Sequence, residues 1–525
     1  MSRRTLGGAR FRISKKLATV PLFLICSAVC LIWIAPPVAP ASDIATLEPC
    51  MELRTVDGID VPFQNGIPYP SFEVQRTRMV RDIGGTWKFK SLPSTSSEIS
   101  KSLSARDNAT LSLLEADGYH AKDFDDSSWE EVELPRCENP IGQPVDENVY
   151  WYRRTISGIS GMKGKYVKLV LLGANYITDV WVNGKYVGWH EGGFTSFLFD
   201  VSDLLNYDGA DVIAIRVHNI PWDARSGQMD IMPYQTCDFR NYGGIYRDIY
   251  LEAVENLNIA RVDVKPSLRT EGGELVEDAG HIDVTVTLYN HGSDMKDGTV
   301  SLSVYGTQVD ENNLLDPAPE AIVNREAQVQ TTGILVKSTT VSAGDVAVLN
   351  FSIDLSGIRL WTPEDPSLYV LEATLNDGED VFCTQFGIRE IEVDGSYPRL
   401  LLNRVPTFLA GAARHESMPD VFRKFTRDQM ENLERDFRLL KEANVNFIRT
   451  AHYPNHPFLY VLADRMGFMV WEEMAATWFI DPAFEVHAKR GVAKQMWLEM
   501  IYRDYNRPSI IIWSTTNEAD IHQPE

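Results

Sequence analysis

The chain has 525 residues, 44% of them hydrophobic and 10% aromatic, with 73 Asp and Glu against 50 Lys and Arg and a net charge of −23. That length suits three or four domains of ~100–200 residues each, and the composition excludes a disordered, collagen-like or disulfide-knot protein. So acidic a body repels phosphate backbones and anionic membrane surfaces, and no nucleic-acid partner is expected.

Residues 1–16 are basic, and the run from Leu17 to Ala35 is apolar but for Thr19, Pro21 and Ser27. Small residues follow, with Ala39-x-Ala41 as a cleavage pattern. This predicts a signal peptide over residues 1–41 and a secreted or periplasmic body. The run is also long enough to span a bilayer. The alternative is therefore a chain anchored by Leu17 to Ala35, the one case in which a membrane partner is expected. Past the leader the chain keeps Cys50, Cys137, Cys237 and Cys383, widely spaced and without a C-x-x-C pair. That spacing gives no reason to expect a zinc site, and the compartment allows one or two disulfides.

Residues 42–255 read as antiparallel β-structure. Residues 167–172 and 177–182 are apolar runs, and Asn183-Gly184 joins the second to residues 185–189. Asn-Gly between such runs is a strong hairpin signal, because both turn residues must reach positive φ. Ile213, Ile215 and Val217 alternate on one face. Many short strands with Gly-rich turns predict a two-sheet sandwich. Residues 256–395 continue as β: Ile282, Val284, Val286 and Leu288 share one face, and Val300, Leu302 and Val304 another. The polar stretch 308–345 reads as an extended loop inside an immunoglobulin-like sandwich.

From residue 396 to 525 the period changes. Thr426-Arg-Asp-Gln429 is a capping box, and Met430, Leu433, Phe437 and Leu440 follow as one helical stripe. Short apolar runs at 408–410, 445–448, 468–470 and 510–513 alternate with helical stretches at 457–466 and near 485–505. Strand and helix alternating in this way predict a parallel α/β architecture.

A polar group follows each apolar run: Arg414-His415-Glu416, then Arg449-Thr-Ala-His452, then Glu472-Glu473, then Asn517-Glu518. In a (β/α) barrel the C-terminal strand ends converge on one mouth. His415, Glu416, His452, Glu473, Asn517 and Glu518 are thus expected to line one cleft. Carboxylates in such a cleft suit glycosidic bond cleavage. One carboxyl protonates the leaving oxygen, and a second attacks carbon or activates water. Trp471, Trp478 and Trp513 are candidate walls for a sugar face, or core residues.

Longer motifs then narrow the reading. Phe124-Asp-Asp-Ser-Ser-Trp129, Trp151-Tyr-Arg-Arg154, Val180-Trp-Val-Asn-Gly-Lys-Tyr-Val-Gly188 and Tyr242-Gly-Gly-Ile-Tyr-Arg-Asp248 lie in the first part. Trp361-Thr-Pro-Glu-Asp-Pro-Ser-Leu-Tyr369 and Phe386-Gly-Ile-Arg389 close the second. His415-Glu416, His452-Tyr-Pro-Asn-His-Pro457 and Pro508-Ser-Ile-Ile-Ile-Trp-Ser514 with Asn517-Glu518 mark the third. Together they resemble glycoside hydrolase family 2, the family of β-galactosidases and β-glucuronidases.

The resemblance implies a jelly-roll sugar-binding domain, an immunoglobulin-like sandwich and the first half of a (β/α)8 TIM barrel. It implies a retaining exo-β-glycosidase with Glu518 as general acid/base and Asn517 on the sugar 2-hydroxyl. His452 and Asp238 match glycone contacts, and His415 and Glu473 match pocket-lining positions. The partner implied is a carbohydrate, with β-galactoside favoured and β-glucuronide as the alternative, and an oligomer is compatible. Three departures accompany it. The chain stops seven residues after Glu518, about half way round a barrel, and lacks the family's nucleophilic Glu. The pattern's Asn two residues before His415 is Ala413 here. Glu416 is followed by Ser417 and Met418 rather than by a His ligand, so no magnesium or other cofactor is expected. The expectation is thus an incomplete glycosidase chain; the rival is a non-catalytic carbohydrate-binding protein with a vestigial barrel.

Overall fold

A computed structural model of the chain describes residues 47–138, 148–221, 231–233, 237, 239, 242–395, 399–416 and 427–520. The leader, Asp238 and the capping residue Thr426 lie outside them.

The first two β regions are built on period-two alternation, which places one set of side chains on each face of a sheet. A six-stranded antiparallel sheet runs in the order Lys185–Glu191, Ile177–Val182, Asp211–His218, Asn148–Ile156, Gly85–Pro93 and Glu130–Leu134. A four-stranded sheet runs Phe197–Asp200, Tyr166–Leu171, Ile249–Val254 and Met79–Asp82. Val180, Ile213, Ile215 and Val217 from the first share one core with Val167, Leu169, Phe197 and Leu251 from the second. The expected hairpin forms, with Asn183 and Gly184 at φ 51° and 79°. A second sandwich pairs the sheet around Glu274–Asn290 with the sheet around Lys296–Thr307. Their alternating Val, Ile and Leu residues form a separate core.

One expectation fails in these regions. Residues 308–345 are not one loop: they contain strands Val323–Gln328, Gln330–Gly333 and Val336–Val341. Val323–Gln328 sits at a sheet edge with four of its side chains exposed, so no apolar alternation marks it. Among the described residues, Cys50 and Cys383 form no disulfide.

Strands Gly411–Arg414, Phe447–Thr450, Met469–Glu473 and Ile510–Ser514 then form a four-stranded parallel sheet in chain order. The run 408–410 is not the first strand; Phe408 is 83% exposed and the strand begins at Gly411, whose added Cβ would meet the Phe447 ring at 2.4 Å. Helix Arg427–Glu442 buries Leu433 and Phe437 against helix Phe458–Met466 and the sheet. Phe458–Met466 is buried on nearly every side, its apolar run ending in the buried Asp464 and Arg465. The helical stretch near 485–505 is two helices, Asp481–Arg490 and Val492–Arg503. Gly491 ends the first at φ 71°, a conformation that favours glycine. Among the described residues no helix is long and apolar enough to cross a membrane.

Candidate active site

Alternation along the parallel strands sorts the chemistry. Ile448 and Val470 face the helices and join their core. Arg449, Trp471 and Glu473 take the opposite face, Arg449 registering with Trp471, and Glu473 with Ser514 on the next strand. Glu472, one residue from Glu473, points the other way and pairs with Arg503 at 3.0 Å.

Glu473 is fully buried. Its Oε1 meets His452 Nδ1 at 2.7 Å. Arg449 donates to its Oε2 from Nη2 at 2.8 Å and from Nε at 3.1 Å, and Ser514 Oγ donates at 3.1 Å. Arg449 Nη2 also donates to Asn517 Oδ1 at 2.6 Å, and its guanidinium lies 5.1 Å from the Trp471 ring centre. One cation therefore ties Glu473, His452 and Asn517 into a single polar constellation at the C-terminal ends of three strands. The His415 ring stands edge-on to His452 at 5.2 Å. Phe239 lies 6.4 Å from both histidines and 5.0 Å from Tyr453, so it brings the first sandwich's loop to the site.

Glu518 follows Asn517 in the left-handed region, φ 49°, and its exposed carboxylate accepts Trp478 Nε1 at 2.6 Å. Trp478, itself at φ 58°, donates its backbone N–H to the Asn517 carbonyl at 2.9 Å. Consecutive residues thus send their side chains to different partners, Asn517 inward to Arg449 and Glu518 to Trp478. Trp513 is partly buried and packs against two core clusters.

Glu416 does not line the cleft as expected. It is buried, with Oε2 accepting Arg247 Nη2 at 2.8 Å and Oε1 accepting the His456 N–H at 2.5 Å. Burial alone would raise its carboxyl pKa. The Arg247 charge and the His456 N–H outweigh burial and hold it below the ordinary range. Arg247 also donates to the Pro454 carbonyl at 2.8 Å, so this pair ties the first sandwich to the loop that carries His452.

Of the sequence-predicted residues, His452 and Glu473 meet directly, Asn517 joins them through Arg449, and His415 stands beside His452. Glu518 neighbours them through Trp478, and Asp238 lies outside the described residues. Sequence reasoning missed Arg449 as the centre of the cluster. Its signal was available, since it lies two residues from Phe447 on the interior face of a strand. Nothing in the sequence marked Phe239.

The family model for the glycosyl hydrolases family 2 sugar binding domain matches residues 80–254. The glycosyl hydrolases family 2 model matches 258–389, and the family's TIM barrel domain matches 391–524. This chain belongs to glycosyl hydrolase family 2. A putative β-glucuronidase of Formosa agariphila is 28% identical over 404 residues, 75% of this chain and 43% of that protein. A β-glucuronidase of Bacteroides fragilis is 29% identical, covering 68% and 48%. A β-galactosidase of Thermoanaerobacter pseudethanolicus is 28% identical, covering 74% and 48%. Among solved structures, a Bacteroides uniformis β-glucuronidase matches 84% of this chain and 47% of its own, with TM-score 0.66 and 26% identity. The family 2 chain thus spans just under half the length of these curated relatives.

Proposed function

We propose that this family 2 chain is part of a retaining exo-β-glycosidase that removes terminal sugars from β-glycosides. The observation that carries the reading is the Arg449–Glu473–His452–Asn517 constellation at the strand ends, with Glu518 next in sequence. In this reading Glu518 protonates the glycosidic oxygen while a carboxylate from a later barrel strand attacks the anomeric carbon. Glu518 then takes a proton from water as the glycosyl-enzyme is hydrolysed. Asn517 and His452 hold the glycone, and Glu473 fixes His452 through Nδ1, leaving Nε2 for a sugar hydroxyl.

For the glycone we propose a neutral sugar, β-galactoside first. Arg449 is already committed to Glu473 and Asn517, so it offers little to a sugar carboxylate. The second reading, β-glucuronide, is favoured by the names of the Formosa and Bacteroides relatives.

The test compares wild-type and Glu518→Gln forms of a protein spanning a whole barrel on nitrophenyl β-galactoside and β-glucuronide. General acid/base catalysis is worth roughly 10²–10⁴-fold. With an activated leaving group the loss should fall on deglycosylation, so kcat should drop by about that range. Equal rates for the two forms would remove Glu518 from the mechanism. Sugar binding without hydrolysis by the wild type would make the protein a carbohydrate binder instead. The ratio of the two wild-type rates decides the glycone.

A further inference from the structure

We infer that Cys50, His190 and Glu499 form a binding site for one thiophilic divalent cation, zinc by its chemistry. The three come from distant parts of the chain. Cys50 immediately precedes strand Met51–Val56, His190 lies on strand Lys185–Glu191, and Glu499 lies on helix Val492–Arg503. One ligand atom from each lies within 4.8 Å of the other two. Gln495, one helical turn before Glu499, accepts the Cys50 backbone N–H at 2.9 Å and so docks that residue on the same helix face.

Two observations point to an ion rather than to packing alone. Glu499 is 0% exposed, yet its partners are Gln64 Nε2 at 2.7 Å, Thr195 Oγ1 at 2.5 Å and His190 Nε2 at 2.9 Å. Among the described residues no Lys or Arg pairs with it. A buried carboxylate without a full counter-charge is costly, and a divalent cation supplies that charge. The His190 ring is also fully buried, held flat against Phe197 at 4.1 Å, with Nδ1 lacking any hydrogen bond among the described residues.

The surroundings suit a metal's outer shell. Gln64 and Thr195 orient the carboxylate as second-layer groups around metal ligands do. A thiolate, an imidazole and a carboxylate are the donors that zinc takes, with water completing four. Calcium and magnesium prefer oxygen ligands alone. On binding, the Cys50 thiol releases its proton to solvent and its sulfur bonds the ion, so affinity falls as pH falls. No local sequence motif announces this site, because its members stand at positions 50, 190 and 499.

The test strips the reduced chain with a chelator and titrates it with Zn²⁺, using Co²⁺ as a spectroscopic probe. The expected result is one ion per chain, a thiolate-to-cobalt charge-transfer band, and a Tm that rises with Zn²⁺ concentration. Cys50→Ser should abolish the band and weaken Zn²⁺ binding at least about tenfold. Glu499→Gln should keep the band and bind more weakly. In the wild type, Zn²⁺ should also shield Cys50 from iodoacetamide. The inference is overturned by a missing band, by Cys50→Ser binding Zn²⁺ as tightly as wild type, or by equal Cys50 labelling with and without Zn²⁺. The last readout needs no variant to fold.

Discussion

Arg449 gives one guanidinium to Glu473 and Asn517, at 2.8 and 2.6 Å. Its side chain is 27% exposed while that of Glu473 is 0%. Removing the cation leaves a buried carboxylate with a histidine and a serine. Arg449→Met should therefore destabilise the chain by about 2–4 kcal/mol, the partial exposure of Arg449 trimming the usual cost of breaking a buried pair. Urea unfolding measures it, and a loss below ~0.5 kcal/mol, the range of an ordinary surface change, would sink the assignment. Arg449→Lys should recover part of the loss, since Lys keeps the charge without the fork that reaches two acceptors. At this scale His452, Glu473 and Asn517 were legible because strand ends in a parallel sheet share one mouth. Glu416 was not, because its orientation depends on Arg247, 169 residues away.

Among the secondary-structure elements, helix Phe458–Met466 shows how a cap is bound to its context. Gly467 ends it at φ 70°, and an added Cβ would lie 2.4 Å from the Pro363 carbonyl oxygen. Trp361, two residues from Pro363, donates Nε1 to the Asp464 carbonyl at 3.0 Å, so that loop has little room to retreat. Gly467→Ala should cost about 2–4 kcal/mol, above the roughly 1–2 kcal/mol of a left-handed L-residue alone. Gly58, at φ 83° with nothing within 4 Å of a Cβ, is the control: Gly58→Ala should cost only that backbone strain. Paired thermal unfolding curves decide it, and equal losses would show that the Pro363 contact does not matter. Long alternating strands and the amphipathic helix were readable from their periods. The edge strands between 323 and 341 were not, since most of their side chains are exposed or only part-buried and set up no apolar rhythm.

Across the whole molecule, two buried groups pull stability in opposite directions with pH. Burial pushes the Glu73 carboxyl up to about 7 despite Arg507 beside it. The folded state thus holds the proton more tightly than the unfolded one, and stability falls as pH rises from about 4.5 to 7, by about 3 kcal/mol for this group. Glu73→Gln should be more stable than wild type at pH 8 and should lose that slope. Burial pushes His487 down to about 3, with its ring nitrogen donating to the Ile231 carbonyl at 2.9 Å. Here the unfolded state binds the proton first. Stability is full above about pH 6.5 and is lost on acidification toward 3, in total about 3–5 kcal/mol. His487→Gln should flatten that acid limb. Between about pH 4.5 and 6.5 the two slopes oppose, so denaturation midpoints should change least there. A wild-type profile without an acid limb above pH 3 would contradict the His487 account. For the leader we propose cleavage after Ala41, and the exported protein's first residue should then be Ser42 by N-terminal sequencing.

Composition, strand and helix periods and ordered motifs by themselves determined the β, β, then α/β architecture and the family, because these are local patterns that each element must carry to bury one face. They also nominated most of the site, since polar residues ending consecutive parallel strands converge by topology. Only the tertiary structure decided that Arg449 is the hub, that Glu416 turns away to Arg247, and that Glu518 rests on Trp478. It also brought Cys50, His190 and Glu499 together. Those outcomes depend on which distant side chain reaches a buried charge first, and sequence spacing does not encode that distance.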